Sequence, residues 1–599
     1  MSATRPSFNR KVSVDRQVKI PMRDGVNLTA DVYRPKGVDQ PLPVLLMRLP
    51  YGRAIASTVT YKHPSWYAMQ GYIVVIQDVR GCGTAEGEFY PFRHEYNDGY
   101  DTVQWCARSL AGSNGKVGMY GFSYQGVTQF QAAMMQPPGL VTICPGMATA
   151  DFYHGWFYFG GAIALGFDLG WALQLTQNRA YYLKQEPQTT NLIAAQRELD
   201  KWLNYTPLDQ LAILRDEPLG QFFFDWIGNP QVDDQYWQDL NPLSKFESFD
   251  LPALHIAGWA DIFIEATLNT YVQAKQHTNK PQHLVVGPWQ HMPWLAQVGE
   301  IDFGEAARSH IDQLQIDWFD FWLKGIDNGI AQRSALQIFM MGQNKWRSFN
   351  HCPNFDRTSL DRSSSVELNQ NIQSQVDQPN LSSNDHSAIK IANSQAGVDY
   401  AQLFLNADRQ LTSTEPDSDR APDIYVYDPR QPNPMSNYGP HDQRPTHQSW
   451  DLLVYEAEPL TTNLSIAGTP EFKLYAATNV ADTDWVIKLL DIYPDGRQML
   501  ISMGVLRARF RQSWQAPKLI ATEEVLDYLI KLRPTCHCWQ AGHKVGIAIA
   551  SAAFPLIDRH SNTAMPPHTT KVSDFIEATQ QIYSDRSFPS CLYLPLLIV

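Results

Sequence analysis

The sequence predicts an α/β protein with a helical insertion, followed by an all-β sandwich, and three features predict it. Through the first 150 residues, short runs such as PVLLMRLPY (43–51) and GYIVVIQ (71–77) are apolar throughout and alternate with helical segments. Strands of that kind are buried on both faces between crossover helices, the composition of a parallel sheet. From about 151 to 245 the chain turns aromatic and rich in helix formers, with no buried strand evident. Beyond residue 399, runs such as DLLVYEAEPL, EFKLYAAT, DWVIKLLDIYPDG and KVGIAIAS follow one another with only turns between them.

The bulk numbers agree with a multi-domain globular protein. At about 150 residues per domain, 599 residues are too many for one core. Lys and Arg total 48 against 61 Asp and Glu, a net charge of −13. That balance argues against nucleic acid, which calls for a basic patch. Seven cysteines are scattered, with Cys536 and Cys538 the only close pair. An odd count without metal spacing reads as reduced thiols. The opening MSATRPSFNRKVSVDRQVKI has no apolar core of a signal peptide, and CLYLPLLIV is far short of the roughly 20 residues of a membrane helix. The expectation is a cytoplasmic protein with no membrane partner. The sequence does not indicate an oligomeric state.

In order, residues 18–34 alternate apolar and polar around Asp24-Gly25, a hairpin signal. The two apolar strands follow, then DGYDTVQWCARSL (98–110) at helical spacing and KVGMYG as a third strand. NLIAAQRELDKWL (191–203) is the clearest helix of the insertion. Strands resume with PALHIAGWAD (252–261) and PQHLVVGPWQH (281–291), then the amphipathic helix HIDQLQIDWFDFWLKG (310–325) and the strand ALQIFMMG (335–342). Residues 352–398 are polar and poor in aromatics, as in a linker or long loop. The expected organisation is an α/β domain from 1–150 and 246–350, a helical cap at 151–245, a linker at 351–398, and the β-sandwich at 399–599.

The stretch GKVGMYGFSYQG (115–126) carries the chemistry. Ser123 follows a buried strand, lies between Gly121 and Gly126, and precedes a helical run. A strand-turn-helix elbow of this kind exposes a serine hydroxyl at the sheet edge and aims the next backbone N–H, that of Tyr124, at the same point. The usual G-x-S-x-G has its second glycine one place earlier, where Gln125 stands. Taken alone, the motif fits a structural turn as well as a nucleophile.

The partners decide between the two. In hydrolases built on such an elbow the order is Ser, acid, His, with the later members after later strands. The strand PALHIAG ends at Asp261 and HLVVG ends at His291, so the order 123, 261, 291 holds. Between them 291 − 261 = 30 residues leave room for one crossover helix. In that geometry His291 takes the Ser123 proton, and Asp261 orients the ring and stabilises the imidazolium. Singly, Asp261 could be a helix N-cap and His291 a surface histidine.

These residues resemble the cocaine-esterase and X-Pro dipeptidyl-peptidase family of serine hydrolases. The likeness runs through MRDGVNLTADVYRP, LPYGR, IQDVRGCGTAEGEF, GMYGFSYQGVTQFQAA, AGWADIF, VVGPWQH and ADTDWVIKLLDIYPDG. It implies an α/β-hydrolase domain with an inserted helical cap and a C-terminal jelly-roll, and it makes the late glycine the family's own form of the elbow. It also implies an oxyanion hole in which the Tyr51 hydroxyl joins the Tyr124 backbone N–H. Neither a cofactor nor a metal is implied.

For the substrate, a small-molecule ester or amide, the resemblance points to an apolar acyl group. Some amino-ester hydrolases of the family place two acids just after the triad aspartate; here those positions are Phe263 and Ile264. Trp156, Trp171 and Phe263 match an aromatic acyl pocket, although aromatics in a cap are often simply core. Asp151 reads as a loop or cap aspartate. The leading expectation is a serine esterase acting on esters with an apolar or aromatic acyl group, extending to amides. The alternatives are an X-Pro dipeptidyl-peptidase or related aminoacyl hydrolase, and a catalytically silent scaffold that binds ligands.

Overall fold

The computed structural model describes residues 11–215, 218–349, 391–393 and 399–597. The first body is a ten-stranded sheet. Its strands are β1 (Val12–Pro21), β2 (Asn27–Pro35), β3 (Leu42–Leu49), β4 (Ile73–Asp78), β5 (Ser113–Phe122), β6 (Leu140–Gly146), β7 (Ala253–Ala260), β8 (Gln282–Gln290), β9 (Leu336–Met340) and β10 (Lys345–Phe349). They lie in the order 1-2-4-3-5-6-7-8-9-10. From β4 across to β9 every pairing is parallel, and antiparallel strands close both edges.

The apolar runs become the central strands because both sheet faces are covered. The helices that cover them are α1 (Glu95–Arg108), α2 (Tyr124–Met134), α4 (Ile264–His277) and α5 (Ile311–Lys324). α5 ends at Gly325, whose φ of 70° is the left-handed conformation that glycine supplies at a helix end. α4 is the one crossover helix expected between Asp261 and His291. α1 begins at Glu95, three residues earlier than its apolar spacing suggests.

The inserted region contains α3 (Leu165–Tyr182) and several shorter helices. The long helix read over 191–203 is two helices, Glu186–Arg197 and Leu199–Leu203, because Glu198 leaves helical geometry (φ −107°, ψ 35°). The insertion also holds a two-residue hairpin, Tyr158–Phe159 with Ala162–Ile163, where no strand was expected. That hairpin meets the second body: Arg507 N–H donates to the Gly160 carbonyl at 2.7 Å and Ile163 N–H to Asp558 Oδ1 at 2.8 Å.

The second body is all β, its strands mostly antiparallel and closed around a core that includes Trp485, Tyr528 and Trp539. The polar tract expected as a linker lies outside the described residues, except that Ile391–Asn393 pairs with the strand Asp399–Asn406. The two bodies share backbone hydrogen bonds, Met341 N–H to Cys536 O at 3.0 Å and Cys538 N–H to Met341 O at 2.9 Å. All six described cysteines are unpaired. Among the described residues no helix is long and apolar enough to cross a membrane.

Candidate active site

Ser123 sits between β5 and α2 with φ 61° and ψ −130°. This is a backbone conformation that costs a non-glycine residue about 1–3 kcal/mol. Its neighbours hold it there: Ser123 N–H donates to Gly146 O at 2.9 Å, and Gly126 N–H to Ser123 O at 2.8 Å. The position of the glycines has a steric cause. A Cβ on Gly121 would lie 2.5 Å from Gln125 Cβ, and one on Gly126 would lie 2.4 Å from Ala148 Cβ. Gln125 therefore fills the place of the usual second glycine, while Gly126 lets α2 press against the end of β6. The Gln125 amide oxygen accepts from Ser57 Oγ at 2.7 Å, tying the elbow to the loop after β3.

Asp261 and His291 end β7 and β8, neighbouring strands. His291 Nδ1 lies 2.7 Å from Asp261 Oδ1; the carboxylate accepts, so Nδ1 carries the proton. Asp261 is fully buried and its Oδ2 has no hydrogen-bond partner. The imidazole is wedged between Phe122, at 5.4 Å between ring centres, and Phe263, edge-on at 5.1 Å. Because Phe122 precedes Ser123, the three sequence-predicted residues share one rim of the sheet. Ser123 also lies close to the Tyr51 phenol. A nucleophile's hydrogen bond to its base often tightens only when substrate binds.

Tyr51 lies just past β3, and its oxygen accepts the Trp171 indole N–H at 3.0 Å. With that lone pair engaged, the phenolic hydrogen is free to point elsewhere. Burial holds the phenol above its ordinary range, opposed by the Trp171 and Ser123 hydrogen bonds. Tyr124 opens α2, where backbone N–H groups lack intrahelical acceptors. Its side chain points the other way, donating to Glu95 Oε1 at 2.8 Å and stacking on Phe92. Glu95 forms a buried ion pair with Arg48 at 2.6 Å, and Arg48 reaches Gln77 at 2.7 Å. Burial raises the Glu95 carboxyl, against the pull of Arg48. This network fixes the end of β3, the start of α1 and the first residue of α2 relative to one another. Nothing in local sequence pattern marks it, since Arg48 and Glu95 are far apart along the chain.

The three candidate pocket residues meet. Trp156 stacks on Phe263 at 4.3 Å, Trp171 lies 5.3 Å from Trp156, and Phe167 joins both clusters. All are on the cap except Phe263, which touches the imidazole. Asp151 accepts from His154 N–H at 3.3 Å and from Asn241 Nδ2 at 3.4 Å. Glu265 lies near Arg533, Lys531 and His154. One acid escaped the sequence reading: Asp168, beside Phe167 on α3, is fully buried with no partner on either oxygen. Burial pushes its carboxyl well above the usual range.

An elbow serine at the rim of a parallel sheet, with a histidine–aspartate pair on the same rim, is the arrangement expected of a serine hydrolase. Residues 24–293 match the X-Pro dipeptidyl-peptidase (S15) family, and 361–592 match the X-Pro dipeptidyl-peptidase C-terminal non-catalytic domain. Cocaine esterase of Rhodococcus sp. is 31% identical, covering 98% of this chain and 99% of that one. An α-amino acid ester hydrolase superposes with a TM-score of 0.78 at 25% identity, covering 100% of this chain and 98% of the other. An aminopeptidase from a marine sediment archaeon has the same fold, with a TM-score of 0.75 at 23% identity over 99% and 97% of the two chains. The chain belongs to the cocaine esterase and X-Pro dipeptidyl-peptidase family of serine hydrolases, which act on small-molecule esters or peptides.

Proposed function

We propose that this enzyme cleaves carboxylic esters with an apolar or aromatic acyl group through a Ser123–His291–Asp261 triad and an acyl-enzyme intermediate. His291, held in one tautomer by Asp261, takes the Ser123 proton as Oγ attacks the carbonyl carbon, then returns it to the leaving alcohol. Water repeats the sequence to release the acid. The carbonyl oxygen, now negative, receives the Tyr51 O–H and the Tyr124 backbone N–H. The observation that carries the acyl preference is Phe263, an apolar ring packed between His291 and Trp156 where a cation-binding site would need a carboxylate. Turnover of p-nitrophenyl benzoate against Ala-Pro-nitroanilide tests this. Much faster cleavage of the dipeptide amide would sink it.

Asp168 favours a second reading, an aminoacyl hydrolase. A buried carboxyl without a hydrogen-bond partner is costly, and a substrate ammonium would supply the missing partner. Under this reading Asp168→Asn abolishes aminoacyl-ester turnover and spares benzoyl esters; under the first, both activities survive.

A further inference from the structure

We propose that Arg533, carried by the β-sandwich, is a positioning residue for the triad: it holds the Asp261 main chain and sets a fixed positive charge beside the Asp261 carboxylate. This rests on the triad reading above.

Arg533 falls between the strands Leu526–Lys531 and Thr535–Trp539. Its backbone is pinned on both sides to the strand Gln498–Arg507: Arg533 N–H donates to Met503 O at 2.9 Å, and Ser502 Oγ to Arg533 O at 2.6 Å. From that fixed base Nη2 donates to the Asp261 main-chain carbonyl. The guanidinium lies 4.2 Å from the centre of the Tyr438 ring, which covers it. The catalytic domain's acid is thus gripped by a residue 272 positions away.

Asp261 has need of such a neighbour. Its carboxylate is fully buried, with one hydrogen bond, from His291, and a bare second oxygen. A carboxylate in that setting tends to neutralise unless a cation stands close. A protonated Asp261 would neither orient the imidazole nor stabilise imidazolium. The charged and titratable groups facing Arg533 are Asp261, Glu265 and Tyr438. Glu265 also faces Lys531, His154 and Asp151, and Tyr438 also faces Asp168. Burial lowers the Arg533 guanidinium, but a guanidinium stays protonated throughout the working range.

The sign follows directly. A fixed cation favours a neighbouring anion and disfavours a neighbouring cation, so losing it favours the protonated form of a carboxylate–imidazole pair. The acid limb of the activity profile then moves to higher pH.

The test uses two full-length variants. Arg533→Gln keeps a donor for the carbonyl and loses the charge, whereas Arg533→Lys keeps the charge. Both kcat/KM and the rate of labelling by a fluorophosphonate are followed against pH. In Arg533→Gln the acid limb shifts up by about one pH unit, with roughly tenfold lower labelling on that limb and near wild-type rates on the plateau. KM barely changes, and Arg533→Lys keeps the wild-type limb. Coincident limbs in Arg533→Gln and wild type overturn the proposal. So does an equal loss at every pH in both variants, which would make Arg533 a structural tie. Asp261→Asn is run alongside: if it labels and turns over as wild type does, the triad reading itself has failed.

Discussion

Replacing Tyr51 by Phe separates catalysis from binding at one atom. The Tyr51 oxygen sits between the Trp171 indole N–H, 3.0 Å away, and Ser123. Under the proposed mechanism its hydrogen is one of two donors to the oxyanion. Losing one such donor costs about 2.7–4 kcal/mol, or about 10²–10³ in kcat. In the resting enzyme the loss falls elsewhere: Trp171 is 5% exposed, and its N–H would be left without an acceptor, a cost of about 1–3 kcal/mol in stability. Tyr51→Phe should therefore lower kcat for p-nitrophenyl benzoate by two to three orders with KM unchanged, and lower Tm as well. Trp171→Phe keeps the oxyanion donor and frees only its orientation, worth about tenfold or less in kcat. In the Tyr51→Phe background the same Trp change should cost little more in kcat, because the two act through one hydroxyl. If KM alone moves in Tyr51→Phe, or the two losses multiply in full, the phenol is not an oxyanion donor.

Other consequences are as direct. Gly126→Ala puts a methyl 2.4 Å from Ala148 Cβ and 3.1 Å from Gly146 O. It should cost about 1–3 kcal/mol in stability and slow labelling of Ser123; an unchanged Tm in thermal denaturation would refute the packing argument. Asp168 has a raised carboxyl, so its ionisation opposes folding: the native state is favoured below the unfolded value and loses that advantage as pH rises toward the folded one. Asp168→Asn should accordingly raise Tm at neutral pH, with the gain shrinking toward pH 4, and a gain that grows on acidification would reverse the sign. Because the Tyr51 phenol is held above its ordinary range, kcat should stay flat up to about pH 10. A falling limb below that pH which disappears in Tyr51→Phe would contradict it.

Much of the fold is legible because parallel strands buried on both faces announce themselves as unbroken apolar runs. β3, β4, β7 and β8 all fall where such runs do. β6 lacks that signal, because LVTICPG is short, interrupted by Thr142 and Cys144, and ends in Pro145-Gly146. The break at Glu198 has no proline or glycine to mark it in the local sequence. For the candidate site, Ser123, Asp261 and His291 stand out in the sequence because each falls where a buried strand stops, a place where a sheet presents side chains to a cleft. Tyr51 and the candidate pocket aromatics are marked only by the family resemblance. The Trp171–Tyr51 bond, the Glu95–Arg48 pair and Arg533 had no local signature. Each joins elements distant in sequence, and only tertiary contact reveals them. Asp168 in GFDLGW reads as an ordinary exposed helix acid, but the structure buries it fully.

The central claim is that Ser123 carries the acyl group. Rapid quenching of the full-length enzyme with p-nitrophenyl benzoate, followed by peptide mass spectrometry, tests it most directly. A benzoyl adduct on the peptide containing Ser123, absent from Ser123→Ala together with turnover, is the predicted result. An adduct on another residue, or steady turnover by Ser123→Ala, would contradict it.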